Sequence, residues 1–410
     1  MGADRMPRED VVELARRLVA VDATNPSLVA GGAGEAEIAR LVADWLGARG
    51  FEVRLIGGDP ARPSVLARRR GSGAGRSLLL AGHLDTVGGS GMITGAPADA
   101  TAYPSEDASD DARAEADAPA EADRIVGRGA YDMAGGLAAA MVAAASAPSA
   151  LQGDLLLAFA ADEEFGSVGM EDLLAALADG PRPAAAVVLE PTDLEVTVAH
   201  RGFAWFRVEY EGLAAHGSQP ELGVDAIARA TDGLVALRAF AEELDARPRH
   251  PLLGAGSVRV ATIAGGTDAA TVADRCALVI ERRTLPGEPD PGLELQRVLA
   301  PSRPARVVPL VARPAMEADD DDEIVRAVVD AVERATGAPA VRRGDPWWTD
   351  AGLIAEAGIP VVLVGPQGGG AHADEEWVST SSLRTLVDVI DGVIVAVCGE
   401  NGRHQRKEPS

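Results

Sequence analysis

The residues able to do chemistry fall in five short stretches, each tied to a run of apolar or small residues. Gly82-His83-Leu84-Asp85-Thr86 closes the run Leu78-Leu79-Leu80. Residues two apart on a strand face the same side. His83 and Asp85 can therefore touch, and a carboxylate beside an imidazole fixes its tautomer and aims it at a metal. Gly127-Arg128-Gly129-Ala130-Tyr131-Asp132-Met133-Ala134-Gly135-Gly136 precedes an Ala-rich helical stretch. Its glycines permit tight turns and leave Asp132 at a loop-to-helix junction. Asp162-Glu163-Glu164 follows the apolar run 155–161. Three acids crowded there repel one another and call for cations; one can bind metal while its neighbour takes a proton from water. Glu190, in Glu190-Pro191-Thr192, ends the run Val187-Val188-Leu189, and His372 follows Val361-Val362-Leu363-Val364 within Gly368-Gly369-Gly370-Ala371-His372-Ala373. Gly369 and Gly370 would let backbone come close to a substrate.

Taken singly, each stretch has a plainer explanation. His83 and Asp85 could be a hydrogen-bonded surface pair, Asp132 a helix N-cap, and residues 162–164 a solvated charge run. Together they argue for one site, because four or five buried strands each deliver a His or a carboxylate at the same end. Open α/β sheets bind ligands outside the carboxyl ends of their strands. Two of only six histidines occupy such positions.

The short apolar runs that carry these residues fit strands buried on both faces. A strand is expected near 51–56 and helices near 10–21, 135–147 and 171–178, with Ile38, Leu41, Val42, Trp45 and Leu46 on one face of another. This alternation predicts an α/β sheet with helices on both sides. The middle reads differently: strands near 203–210, 257–263 and 276–282 with a helix near 225–244 make a small α+β unit. Pro304, Pro309 and Pro314 mark its exit. A helix over 323–336 and the strand ending at Val364 then return to the first style. The division is 1–197, an inserted 198–313, and 314–410. Residues 96–123 are Ala, Asp, Glu, Ser and Pro with almost no large apolar side chains, and read as a mobile acidic loop.

Composition narrows the function. A formal charge of −25 argues against nucleic acid or an anionic membrane as partner. Cys276 and Cys398 are the only cysteines, too few for a disulfide framework or a thiolate-rich zinc site. No stretch of about 18 uncharged apolar residues suggests a membrane span, and residues 1–20 lack the pattern of a secretory signal. The expected location is the cytoplasm.

The ordered series GHLDT, GRGAYDMAGG, DEEFGS, EPT, AAHGS and GGGAH resembles the di-zinc aminoacylase and carboxypeptidase family, which includes acetylornithine deacetylases, succinyl-diaminopimelate desuccinylases and glutamate carboxypeptidases. The resemblance covers nearly the whole chain and is specific in combination. It implies a mixed-sheet catalytic domain interrupted by an α+β lid that also forms a homodimer. It further implies that His83 and Glu190 hold one metal, Glu164 and His372 the other, and Asp132 bridges them. Asp85 would stand behind His83 and Glu163 would be the general base. His216 would reach the partner subunit's site and polarise the scissile carbonyl. Arg283 would grip the substrate carboxylate, a task suited to its planar fork. Imidazole and carboxylate ligands suit zinc and also admit cobalt or manganese.

The chain departs from the family in places. Ala134 stands where Lys is common, Thr271-Val272-Ala273-Asp274 where an Asn is usual, and the acidic loop is longer. Trp347 and Trp348 occupy positions where small residues are common; they read either as packing or as an apolar wall of the substrate pocket. The expected reaction is hydrolysis of an N-acyl amino acid. The alternatives are a carboxypeptidase or dipeptidase with the same ligands, and a non-catalytic binding protein on this fold.

Overall fold

The computed structural model describes residues 10–73, 75–89, 123–178, 180 and 182–399. The acidic stretch read as a mobile loop lies, except for Asp123, outside the described residues. The chain forms two compact units. One comprises residues 1–198, 318–343 and 349–410, the other 199–317 with 344–348.

The first seven strands are β1 (Glu52–Ile56), β2 (Ser64–Arg69), β3 (Leu78–His83), β4 (Arg124–Val126), β5 (Leu155–Ala160), β6 (Ala185–Val188) and β7 (Val196–His200). β8 (Gly202–Glu211), β9 (Ser257–Gly265), β10 (Arg275–Thr284) and β11 (Arg306–Arg313) belong to the second unit. β12 (Met316–Glu317), β13 (Arg342–Asp345), β14 (Val361–Leu363), β15 (Gly368–Gly369) and β16 (Trp377–Ser379) complete the set. In the first unit the sheet order is β1-β2-β5-β3-β6-β14-β7. The central four, β5, β3, β6 and β14, run parallel, while β1, β2 and β7 run antiparallel to their neighbours. The expected α/β class is observed, as a mixed sheet.

The parallel strands are almost wholly apolar, with His83 at the end of β3 the one charged or polar side chain, and every residue of β3, β5, β6 and β14 is buried. Such strands cannot show polar alternation, because helices cover both faces. Local pattern does not mark β2, because Arg68 and Arg69 break its apolar run, yet Ser64 to Ala67 are buried. The helix Gly135–Ser146 is buried at all of its positions, as an all-round apolar helix must be. Its small side chains let backbone approach backbone, and a Cβ on Gly136 would stand 2.2 Å from the Leu189 carbonyl oxygen. That contact seats the start of the helix, and Asp132 just before it, against the end of β6.

The second unit is an antiparallel sheet in the order β11-β8-β10-β9. The helices Ala226–Asp245 and Pro291–Leu299 contribute Leu237, Phe240, Leu295 and Leu299 to one core with Phe206, Val208, Leu278 and Ile280 of the sheet. The prolines expected to mark its exit do something else in one case. Pro309 lies within β11, where the register to β8 shifts between Pro309 and Val311. An edge strand tolerates the missing N–H at such an irregularity, so a proline-rich stretch still forms a strand.

Candidate metal centre

Three of the parallel strands, β3, β5 and β6, bring His or Glu residues at their carboxyl ends into one cluster. His83 is the last residue of β3, Glu163 and Glu164 follow β5 by three and four residues, and Glu190 follows β6 by two. His372 lies on the loop between β15 and β16. Asp132 sits in the turn before the helix Gly135–Ser146.

Two groups of potential metal ligands form there, His83 with Asp132 and Glu190, and Asp132 with Glu164 and His372. Asp132 is common to both and splits its oxygens between them. His83 Nε2 is 3.0 Å from Asp132 Oδ1 and 4.0 Å from Glu190 Oε2. His372 Nε2 is 3.5 Å from Asp132 Oδ2 and 3.1 Å from Glu164 Oε2. A carboxylate that offers one oxygen to each side is what a bridging ligand must be.

The donor set fits cations. Glu164 Oε1 is buried with no hydrogen-bond partner among the described residues, and an orphaned buried acceptor is costly unless something positive meets it. The electrostatics of the site point the same way. Hydrogen bonds to Asp132 and Glu164 push the His372 imidazole up to about 10. Burial works to lower His83, but its bond to Asp132 and the charges of Glu190 and Glu163 hold it well above the ordinary imidazole value. Burial, aided by their acidic neighbours and opposed by His83, raises the Glu163 and Glu190 carboxyls well above the usual range. Acids so crowded stay ionised only beside strong positive charge. The ligands are imidazole and carboxylate without thiolate, a set suited to zinc, cobalt or manganese.

Asp85 stands beside His83, and its closer contact to the imidazole is through its backbone. β3 ends at His83, so strand alternation does not extend to Asp85. His83 Nδ1 donates to the backbone carbonyl of Asp85 at 2.8 Å, while its distance to the carboxylate is 3.7 Å. The Asp85 side chain faces the acid-bearing loop instead. Its Oδ1 accepts the Glu163 N–H at 3.0 Å and its Oδ2 the Glu164 N–H at 3.1 Å. Asn25 Nδ2 donates to the same Oδ2 at 2.8 Å. Thus the backbone orients the imidazole and the carboxylate holds the loop.

Residues that the sequence did not single out complete the support. Arg62, whose guanidinium is held well above its ordinary value by Glu35 and Asp162 against the opposing effect of burial, donates to Glu35 at 2.7 Å and Asp162 at 2.8 Å. Glu35 also accepts the Asp162 N–H. Glu376, 3% exposed, accepts the N–H groups of Gly129, Tyr131 and Asp132, each at 2.9 Å. In sequence Glu376 is one of three consecutive acids. Only the burial of Glu376 between the exposed Glu375 and the half-buried Trp377 marks which one faces inward.

Residues 79–396 match the family described as peptidase family M20/M25/M40. The chain belongs to that family. An acetylornithine deacetylase of Myxococcus xanthus is 30% identical over 357 residues, covering 82% of this chain and 84% of the relative. The structure resembles an aminopeptidase PepT of Bacillus cereus with a TM-score of 0.69 at 19% identity, over 96% of this chain and 99% of that one. It also resembles the Bacillus subtilis YXEP protein, described as a dinuclear metal-binding peptidase of the M20 family, with a TM-score of 0.65 at 15% identity over 95% and 97%. This M20/M25/M40 member is a metal-dependent hydrolase acting on amide bonds.

In this M20/M25/M40 chain the glycines before His372 approach other backbone. Gly369 pairs within the β15–β16 ladder, and a Cβ on Gly370 (φ +74°) would stand 1.9 Å from the Glu375 carbonyl oxygen; the close approach these glycines permit is to the chain itself. In the second unit, His216 is exposed, and its Nδ1 lies 2.8 Å from Ser218 Oγ. Arg283, half-buried, pairs with Glu281 at 3.0 Å and lies over the Phe203 ring. Its neighbour Arg282 points to the opposite face, fully buried against Glu288 at 2.9 Å and Glu294 at 3.1 Å. Trp348 is packing: it is buried, edge-on to Phe203 and His200, and donates from Nε1 to the Pro314 carbonyl. Trp347 is 41% exposed. Among the described residues no helix is long and apolar enough to cross a membrane.

Proposed function

We propose that the protein hydrolyses the amide bond of an N-acyl amino acid, using two divalent cations, zinc in the first instance, held by His83, Asp132 and Glu190 and by Asp132, Glu164 and His372. The observation that carries this reading is the pair of ligand groups sharing Asp132, with the half-buried acid Glu163 adjacent in sequence to the ligand Glu164. Bound by these residues, two divalent cations would supply an acidified water and a polarised carbonyl oxygen.

Glu163 takes the proton of the attacking water and returns it to the leaving amine. Its environment suits that shuttle, because a carboxyl raised by burial and by Glu190, Asp350 and Glu164 holds a proton more firmly than a solvated one. Asp85 fixes where that carboxyl can stand by clamping the Glu163 and Glu164 amides. In the second unit, Arg283 binds the substrate carboxylate with its fork. The exposed imidazole of His216, supplied by a second copy in a homodimer formed through that unit, polarises the scissile carbonyl.

The choice of a deacylase over a peptidase rests on the curated relative named acetylornithine deacetylase. A panel of N-acyl amino acids against dipeptides, with metal content measured on the same protein, tests it. Higher kcat/KM on the N-acyl amino acids is expected, and a preference for dipeptides would reverse the assignment. Mixing His216→Ala and Glu163→Ala proteins should restore partial activity; no rescue would remove His216 from the partner's reaction.

A further inference from the structure

We propose that Glu376 is the positioning residue of the shared ligand Asp132, and that it sets the geometry of both metal positions at once. The inference rests on the reading of Asp132 as the ligand common to two cations.

Glu376 Oε1 accepts the N–H groups of Tyr131 and Asp132, and Oε2 accepts the N–H of Gly129 and an Arg128 guanidinium N–H at 2.8 Å. Four donors thus converge on one buried carboxylate, three of them backbone groups of the turn that presents Asp132. Backbone N–H groups buried without acceptors are costly, so this turn closes in its observed shape because Glu376 is under it. The turn needs such a prop, because Asp132 and Met133 depart from helical angles and so forgo the usual helical acceptors.

The same residue ties the turn to the loop that carries His372. Its backbone carbonyl accepts the Gly127 N–H at 2.9 Å, and Arg128 also donates to the Ala373 carbonyl at 2.6 Å. β16, which starts one residue later, pairs with β4 on the other side of the turn. His372 and Asp132, 3.5 Å apart, come from segments 240 residues apart in sequence. The short stitch through Arg128 and Glu376 decides their separation. Partners that orient metal ligands in this way commonly change metal affinity about 10–100-fold when removed.

Glu376→Gln makes a sharp test on the full chain. Whichever way the amide is turned, its NH2 faces either the Tyr131 and Asp132 N–H pair or the Gly129 and Arg128 donors, so donors oppose donors at nearly unchanged volume. Titration of the metal-free protein with Co2+, followed by visible absorption, is expected to show two ions bound by the wild type. In the Glu376→Gln protein both ions should bind about 10–100-fold more weakly, with an altered absorption envelope at full loading. Should that protein fail to fold, the same titration on Glu376→Asp decides, since the shortened side chain retracts the acceptor. A merely structural role would lower the melting temperature and leave the cobalt affinities and spectrum alone. Affinities within twofold of wild type with an unchanged spectrum would overturn the proposal. A wild type that takes up fewer than two ions would instead overturn the shared site, and this inference with it.

Discussion

Replacing Asp85 by Ala should uncouple the base from the metals while leaving His83 in place. The carboxylate accepts three donors, Glu163 N at 3.0 Å, Glu164 N at 3.1 Å and Asn25 Nδ2 at 2.8 Å. Each buried donor left without a partner costs ~1–3 kcal/mol, giving an upper bound of roughly 3–9 kcal/mol against the observed loop. Water entering the vacated space recovers part of that, so about 3 kcal/mol is a working figure. At 1.4 kcal/mol per tenfold, the population with Glu163 and Glu164 correctly placed falls about 100-fold, and kcat should fall with it. The imidazole of His83 loses nothing directly, because its Nδ1 donates to the Asp85 backbone carbonyl, which Ala retains. Metal affinity should therefore weaken at the position that includes Glu164 and His372, and much less at the one that includes His83 and Glu190. Zinc calorimetry would show this, with the binding steps assigned from His372→Ala and His83→Ala proteins. Unchanged kcat, or a loss confined to the His83 position, would refute the reasoning and restore Asp85 to the imidazole.

Glu163→Gln should bind two zinc ions with near-normal affinity yet lose roughly 100–10,000-fold in kcat, the usual share of a general base; turnover near wild type would end that assignment. Arg283→Met should cost about 10–150-fold in kcat/KM on carboxylate substrates, the worth of a charged hydrogen bond, and little on the corresponding amides; equal losses on both would remove it from carboxylate binding. His200 gives a stability prediction away from the metals. Burial pushes its imidazole down to about 4, only partly opposed by its bond to the Arg201 carbonyl. Because the folded value lies below the unfolded one of about 6.5, nothing is lost above that pH. As pH falls from there toward 4, the unfolded chain takes up a proton that the folded chain resists. The loss is about 2 kcal/mol at pH 5. The urea midpoint of wild type should drop more between pH 7.5 and pH 5 than that of His200→Gln, and parallel profiles would contradict the assignment.

Much of the site was legible in the sequence because strand and helix periods are local. An apolar run too short for a helix and ending near His or Glu places that residue at the carboxyl edge of a sheet, and the three such runs that form β3, β5 and β6 lie parallel, so their ends come together. His83, Glu163, Glu164 and Glu190 follow from that rule, and Asp132 from the glycine-rich approach to a buried helix. The inserted antiparallel strands were visible through their alternation, but β11 was not, because Pro309 reads as a breaker unless the strand is known to lie at an edge.

What the tertiary structure decided was which acceptor each donor meets. Local pattern paired the Asp85 carboxylate with His83; folding ended β3 at His83 and brought the acid loop after β5 within reach, so the carboxylate took two backbone amides instead. Trp348 could have lined a pocket, and long-range packing on Phe203 and His200 made it core. Glu376 was one acid among three until the turn at 129–132 closed over it. The division has a physical cause. Side-chain type and period fix which way a residue faces within its own element, whereas a hydrogen bond between loops depends on positions set by chain segments far apart in sequence. Of the candidate metal ligands, His83, Glu164 and Glu190 belong to the first class; the approach of His372 to Asp132, and the groups that hold the candidate ligands in place, belong to the second.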